Sequence, residues 1–162
     1  MTAKEVIRQI VEFCHMVTRG YVDDLTDKDL LVRAVPGANH IAWQLGHLLS
    51  GEHEMLKNIG QNPPALPRGF VEAHTKETAS SDDPAKFFKK ADYLGLMDKM
   101  KAAALAAIDA TPDQKLDQPG PESMREYAPT NAAVLTLFGT HWLMHAGQFV
   151  PIRRKLGKAA MY

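Results

Sequence analysis

The chain has 162 residues, of which 45% are hydrophobic and 23% charged, as is typical of one globular domain. Its 19 basic and 19 acidic side chains give zero formal net charge, which argues against nucleic-acid binding and against electrostatic attraction to a membrane. The single cysteine excludes an intrachain disulfide and, beside seven histidines, means that any metal site would be nitrogen-rich rather than thiolate-rich. Because no signal-peptide core or membrane span is recognisable, we expect a cytoplasmic protein whose residues 1–162 form one domain.

Two amphipathic helices are predicted in the first half of the chain. Apolar residues recur every three or four positions over about 3–24, and the stretch opens with the capping-box pattern Thr2-Ala3-Lys4-Glu5. Asn39 is the expected N-cap of the second helix, which ends at Gly60. Cys14 follows the apolar stripe of the first helix, so its thiol is expected to be buried and unreactive.

Two long irregular segments separate the remaining helices. Residues 61–88 contain four prolines and no sustained period, and a connection of this length can run the full length of a helix. The second and third helices therefore need not be antiparallel neighbours. The third helix is predicted over about 89–110 and, after a second irregular segment at 111–129, Thr130 caps a fourth over about 131–156. The pattern predicts an all-α four-helix bundle with one long crossover between helices 2 and 3.

Three histidines on two of these helices form a candidate metal site. His141 and His145 are one turn apart on the fourth helix, so both imidazoles can reach one ion. Their helix is largely apolar, and inward imidazoles there need a partner that a metal ion would supply. His47 on the second helix offers a third imidazole, with Trp43 on the same helix face. Three imidazoles leave a fourth coordination position open, as in catalytic sites, although hydrogen-bonded histidines without a metal remain an alternative.

Other polar residues receive simpler interpretations. Glu54 lies two turns beyond His47, and Gln148 lies three residues after His145, so either can orient a ligand or line the pocket. A solvated position for Glu54 is the competing interpretation. No Glu-x-x-His segment occurs, which argues against a di-iron carboxylate site, and no catalytic residue or general base is identifiable. The other four histidines are not expected to bind a metal. His40 is expected to be a cap or surface residue and His53 to be solvated. His15 is the neighbour of Cys14 on the first helix, and His74 lies in the crossover with no identifiable partner.

Two short motifs surround the three histidines: Trp43-Gln44-Leu45-Gly46-His47-Leu48 and His141-x-x-x-His145-Ala146-Gly147-Gln148. Together they resemble the DinB-like superfamily, and the resemblance covers essentially the whole chain. It implies an up-down-down-up bundle, metal ligation by the same three histidines, zinc or nickel as the ion, and a homodimer. Related enzymes transfer mycothiol, bacillithiol or glutathione, or isomerise maleylpyruvate with a thiol cofactor. The resemblance therefore implies a small-molecule substrate and a low-molecular-weight thiol.

Two classes of function follow from these observations. The first is a divalent-metal-dependent enzyme of the thiol S-transferase or hydrolase type. In such an enzyme the metal lowers the pKa of a bound water or thiol, so a separate general base is not required. The second is a non-catalytic helical bundle that binds a small ligand or serves as a structural dimer. Neither class involves nucleic acid or a membrane.

Overall fold

The computed structural model describes residues 1–161 of the chain. Four α-helices, α1 (Ala3–Asp23), α2 (Ile41–Asn58), α3 (Lys90–Ala110) and α4 (Asn131–Lys155), are joined by segments that contain short 3-10 turns. Within the described residues the only β pairing is an isolated bridge between Pro119 and Thr130. None of the helices in this part of the chain is both long and apolar enough to cross a bilayer. The all-α prediction is confirmed.

Side-chain caps fix the beginnings of α1 and α4 as the sequence predicts. The Glu5 amide donates to Thr2 Oγ1 at 3.2 Å, and the Thr2 amide donates to the Glu5 carboxylate at 2.7 Å, which completes a capping box. At α4 the Ala133 amide donates to Thr130 Oγ1 at 3.2 Å. These bonds satisfy amides that have no partner within the helix, so local sequence alone determines where both helices begin.

The N-cap of α2 differs from the prediction. His40 occupies the cap position, and its Nδ1 accepts a hydrogen bond from the Trp43 amide at 3.0 Å, so the predicted Asn39 cap is wrong. The His40 ring is buried, and its Nε2–H donates to the Ser81 carbonyl at 3.1 Å. The crossover therefore holds the imidazole in the tautomer that leaves Nδ1 free to cap the helix.

The four helices follow an up-down-down-up topology. α1 and α4 are parallel: the Val11 backbone lies 2.9 Å from the position that a Cβ on Gly139 would occupy, and the Arg153 guanidinium donates to the Tyr21 carbonyl at 2.9 Å. α2 runs antiparallel to α4, since Gln44 bonds to His145 whereas Glu52, further along α2, bonds to Trp142.

α3 closes the bundle beside α1 and α2. Arg8 and Arg19 of α1 pair with Asp109 and Asp98 of α3, respectively, so these two helices are antiparallel. α2 and α3 are therefore parallel, as the long crossover between them allows. The neighbours around the bundle follow the order α1, α4, α2, α3. This order places α2 beside α4 along the face where the histidines meet.

The crossover at 61–88 is docked on the bundle through His74. The ring donates from Nδ1 to the Phe70 carbonyl at 2.6 Å, and its Nε2 accepts from the Tyr93 hydroxyl at 2.7 Å. The Tyr93 oxygen in turn accepts from the Phe88 amide at 3.2 Å. The ring packs directly on Gly46, where any Cβ would overlap it. The expectation that His74 has no partner is therefore wrong, because a tertiary contact supplies what the local sequence does not show.

Candidate metal centre

The structure brings His47, His141 and His145 together between α2 and α4. Each histidine offers one ring nitrogen, and these nitrogens lie within 4.8 Å of one another. The ring centroids of His47 are 5.4 and 5.3 Å from those of His141 and His145, and the two α4 rings are 5.0 Å apart. Antiparallel packing makes this cluster, since it sets one turn of α2 against the turn of α4 that carries both histidines.

Burial keeps all three imidazoles neutral near pH 7. Desolvation lowers the pKa of His47, and it lowers the pKa of His141 and of His145 to about 4. Repulsion between the neighbouring rings is the smaller contribution to this lowering of the pKa of both α4 histidines. A neutral imidazole keeps a lone pair on one nitrogen, and that lone pair is what binds a metal ion.

Gln44 determines which nitrogen of His145 is free. The Gln44 amide nitrogen donates to the Asn39 carbonyl at 2.9 Å, which leaves Oε1 facing His145. That oxygen can only accept, so His145 donates from Nδ1 at 2.8 Å and its Nε2 is the available ligand atom. A hydrogen bond of this kind orients a metal-binding imidazole and increases its basicity. Gln44 was not among the residues predicted for the site, although a polar side chain one turn before His47 is a signal for this role.

Trp43 orients the His47 ring. The two rings stack with an interplanar angle of 4° and centroids 5.2 Å apart. The indole N–H donates to the Thr75 carbonyl at 2.8 Å, so the crossover holds the tryptophan in place. The structure thus places Trp43 against a candidate ligand, on the helix face that the sequence predicts.

The other two candidate pocket residues lie apart from the ring nitrogens. Glu54 is exposed at the edge of a cavity beside the histidines, where its carboxylate accepts from Lys57 Nζ at 3.2 Å. The Gln148 side chain is exposed and forms no hydrogen bond with residues 1–161. The position that orients His145 is taken by Gln44 rather than by Gln148.

A buried carboxyl group, Glu52, lies close behind the cluster. Its Oε2 accepts from the Trp142 indole at 2.9 Å, and burial raises the pKa of Glu52 to about 8. Its Oε1 has no hydrogen-bond partner in the described chain and lies 3.8 Å from His15 Nε2, which bonds to the Phe138 carbonyl. Glu52 was not among the predicted site residues, although its position continues the apolar stripe of α2 and indicates burial.

A cavity of about 660 Å³ opens beside the histidines in the groove between α2 and α4. The irregular segment at 111–129 contributes part of its wall. The lining residues are His47, Gly51, Glu54, Met55, Asn58, Ser123, Met124, Tyr127, Leu137, His141 and Met144. Two of the three candidate ligands therefore face a space large enough for a small molecule. Cys14, by contrast, is buried in α1, and burial raises the pKa of its thiol.

The three histidines fit a divalent first-row transition metal. The ring nitrogens of His47 and His141 accept no hydrogen bond from any described residue, so their lone pairs are uncommitted. Nitrogens bound to one ion at ~2.0–2.1 Å are separated by ~3–4 Å, so small ring rotations bring the observed cluster to that spacing. Neutral imidazoles suit zinc, nickel, copper and iron rather than calcium or magnesium.

The fold and this cluster define a four-helix bundle with a three-histidine group able to hold a metal ion. The chain belongs to the DinB superfamily, whose sequence profile matches residues 10–149. YfiT from Bacillus subtilis, described as a probable metal-dependent hydrolase with an unusual four-helix bundle topology, is similar in structure. It has a TM-score of 0.65 at 17% identity over 96% of this chain and 89% of that chain.

A conserved protein from Enterococcus faecalis is also similar, with a TM-score of 0.68 at 15% identity over 98% of this chain and 99% of that chain. At these identities the likeness establishes the shared fold alone. A sequence search of curated proteins finds no match.

Proposed function

We propose that this protein is a divalent-metal-dependent enzyme whose ion is held by His47, His141 and His145. One observation carries the proposal: three neutral imidazoles converge within 4.8 Å on the wall of a cavity. Three protein ligands leave coordination positions open for water or substrate, as in catalytic rather than structural zinc sites. The description of YfiT as a probable metal-dependent hydrolase supports the same class of chemistry.

Zinc and nickel are the ions we propose, and the reaction is hydrolysis or thiol transfer. A bound ion of this kind lowers the pKa of a water or thiol and so provides a nucleophile near neutral pH. The chain's own residues orient the ligands: Gln44 holds the Nδ1–H of His145, and Trp43 restricts rotation of the His47 ring. The cavity holds a small-molecule substrate beside these ligands.

We further propose that the protein is a cytoplasmic homodimer. Phe13 and Met16, one turn apart on α1, are 54% and 53% exposed and offer apolar surface for a second copy. Sedimentation of the wild type and of a Phe13→Asp variant tests this: the variant is expected to sediment as a monomer, and a monomeric wild type contradicts the dimer.

Metal content tests the proposed site directly. After loading with zinc or nickel and removal of free ion, we expect the wild type to retain about one ion per chain and His141→Ala to retain almost none. His53→Ala is the matched control, because His53 lies on α2 beside Glu54 and outside the cluster. The control should retain its ion.

Two outcomes contradict the proposal. One is a folded wild-type protein that retains no stoichiometric ion, which would favour the non-catalytic bundle. The other is equal metal loss in His141→Ala and His53→Ala, which would place the ion elsewhere.

A further inference from the structure

The cavity beside the histidines has a strongly apolar wall. Met55, Met124 and Met144 supply three thioether side chains, and Leu137 and Tyr127 add aliphatic and aromatic surface. Methionine side chains are flexible and polarisable, so they adapt to apolar groups of varied shape. The group that lies here next to the ligands is therefore expected to be a hydrocarbon chain or ring.

The cavity wall offers no cationic side chain to an anion. Among its described lining residues Glu54 is the only charged side chain, and none is basic. The adjacent Lys57 ammonium is bound to the Glu54 carboxylate at 3.2 Å. A carboxylate held against this wall, away from the proposed ion, would lose hydration without gaining a basic partner.

Basic side chains do line a second cavity of about 430 Å³, which shares Asn58 with the first. Lys115 and Arg125 belong to its wall, whereas none of the three histidines does. The Arg125 Nε–H donates a hydrogen bond to the Gly120 carbonyl at 2.7 Å. An anionic group held there would not occupy the apolar space next to the candidate ligands.

We infer that the cavity takes an uncharged, apolar acyl or alkyl group of the substrate and disfavours a carboxylate placed against the same wall. This inference rests on the proposed function, because it concerns the ligand of the same site. It favours an apolar ester or amide as the hydrolysable substrate.

Hydroxamates that share one metal-binding head test the inference on the zinc-loaded protein. Acetohydroxamic acid is the short probe, octanohydroxamic acid adds an apolar chain, and suberic acid monohydroxamate has the same eight carbons but ends in a carboxylate. By isothermal titration calorimetry, octanohydroxamic acid should bind at least tenfold more tightly than either other probe, since each buried methylene contributes about fourfold in affinity.

A charge introduced at the cavity wall should change this order. Met144 lines the cavity yet is 60% exposed, so Met144→Lys is compatible with folding. The variant should bind the carboxylate probe roughly two- to fivefold more tightly relative to acetohydroxamic acid. Leu143→Lys is the matched control, because Leu143 is an exposed neighbour outside the cavity and should alter none of the three affinities.

The outcomes separate this inference from the proposed function. Equal affinities for the two eight-carbon probes, or no gain over acetohydroxamic acid, would overturn the apolar selectivity and leave the metal site standing. Loss of stoichiometric zinc, or failure of acetohydroxamic acid to bind the loaded protein, would overturn the proposed function itself.

Discussion

His74 and His141 show that burial alone does not distinguish a structural histidine from a candidate ligand. Burial lowers the pKa of both imidazoles to about 4, so both are neutral at pH 7. They differ in their partners: both ring nitrogens of His74 are hydrogen-bonded, whereas His141 has no such bond within residues 1–161. The unpaired nitrogens, rather than the pKa, indicate which region is available for chemistry.

The surroundings of His74 and His141 also differ in whether they connect parts of the fold or line a cavity. His74 joins three parts of the fold, because its ring lies on α2 at Gly46, bonds to α3 at Tyr93 and belongs to the crossover. His141 lines a cavity open to solvent. We therefore expect substitutions at the first position to change folding and those at the second to change metal binding.

The largest expected effect is on the stability of the metal-free protein. His74→Ala removes two buried hydrogen bonds and leaves a void over Gly46, so it should lower the free energy of unfolding by about 3–4 kcal/mol. His141→Ala should lower it by less than about 1 kcal/mol, since no hydrogen bond is lost. Urea denaturation followed by circular dichroism measures both.

Gly46→Ala should disrupt the same contact between the His74 ring and α2. The new methyl group would overlap the His74 ring and displace the crossover, so its destabilisation should match or exceed that of His74→Ala. The distinction between the two histidines would fail if His141→Ala proved as destabilising as His74→Ala in the absence of metal.

A second expected effect depends on pH and concerns Glu52. Burial raises its pKa to about 8 in the folded protein from a model value of 4.5, so the folded state binds the proton more tightly than the unfolded state does. This group's contribution to stability is therefore fully present below pH ~4.5 and is lost as pH rises towards 8. Glu52→Gln avoids that loss.

The measurement is the difference in unfolding free energy between Glu52→Gln and wild type. The difference should be small at pH 5 and should favour the variant by about 4 kcal/mol more at pH 9. The titrations of residues remote from Glu52 are common to both proteins and cancel in the comparison. A difference that stays constant from pH 5 to pH 9 would show that Glu52 ionises normally.

The smallest expected effect is on metal affinity. Gln44→Ala removes the hydrogen bond to the Nδ1–H of His145 and should weaken zinc binding by about 10- to 100-fold. Gln148→Ala is the control, because that exposed amide makes no hydrogen bond with the described residues and should leave the affinity unchanged. Competition with a chromogenic chelator gives both constants. Equal weakening by the two substitutions would contradict the assigned role of Gln44.

The parts of this molecule that local chemistry determines could be predicted from the sequence. The Thr2–Glu5 capping box and the Thr130 cap each depend on residues three positions apart, and both occur where expected. The convergence of His141 and His145 follows from their spacing of one helical turn. The predicted cluster also includes His47, on the basis of its helix face and of the family resemblance.

The remainder depends on contacts between distant segments. His40, rather than Asn39, caps α2 because the Ser81 carbonyl of the crossover fixes its tautomer. His74 lies in a segment without periodicity, so the sequence gives no indication that it bonds to Tyr93 of α3. Gln44 could be recognised as the group that orients His145 only once the antiparallel pairing of α2 and α4 was known.

The parallel packing of α1 against α4 has a consequence for how the protein folds. α1 ends at Asp23 and its partner α4 begins only at Asn131, so their contact closes a loop that contains both other helices. Loop closure over such a distance costs entropy before native contacts compensate for it, and it slows folding. His141 and His145 are also on α4, far along the chain from His47 on α2. The three histidines can therefore converge only late in folding.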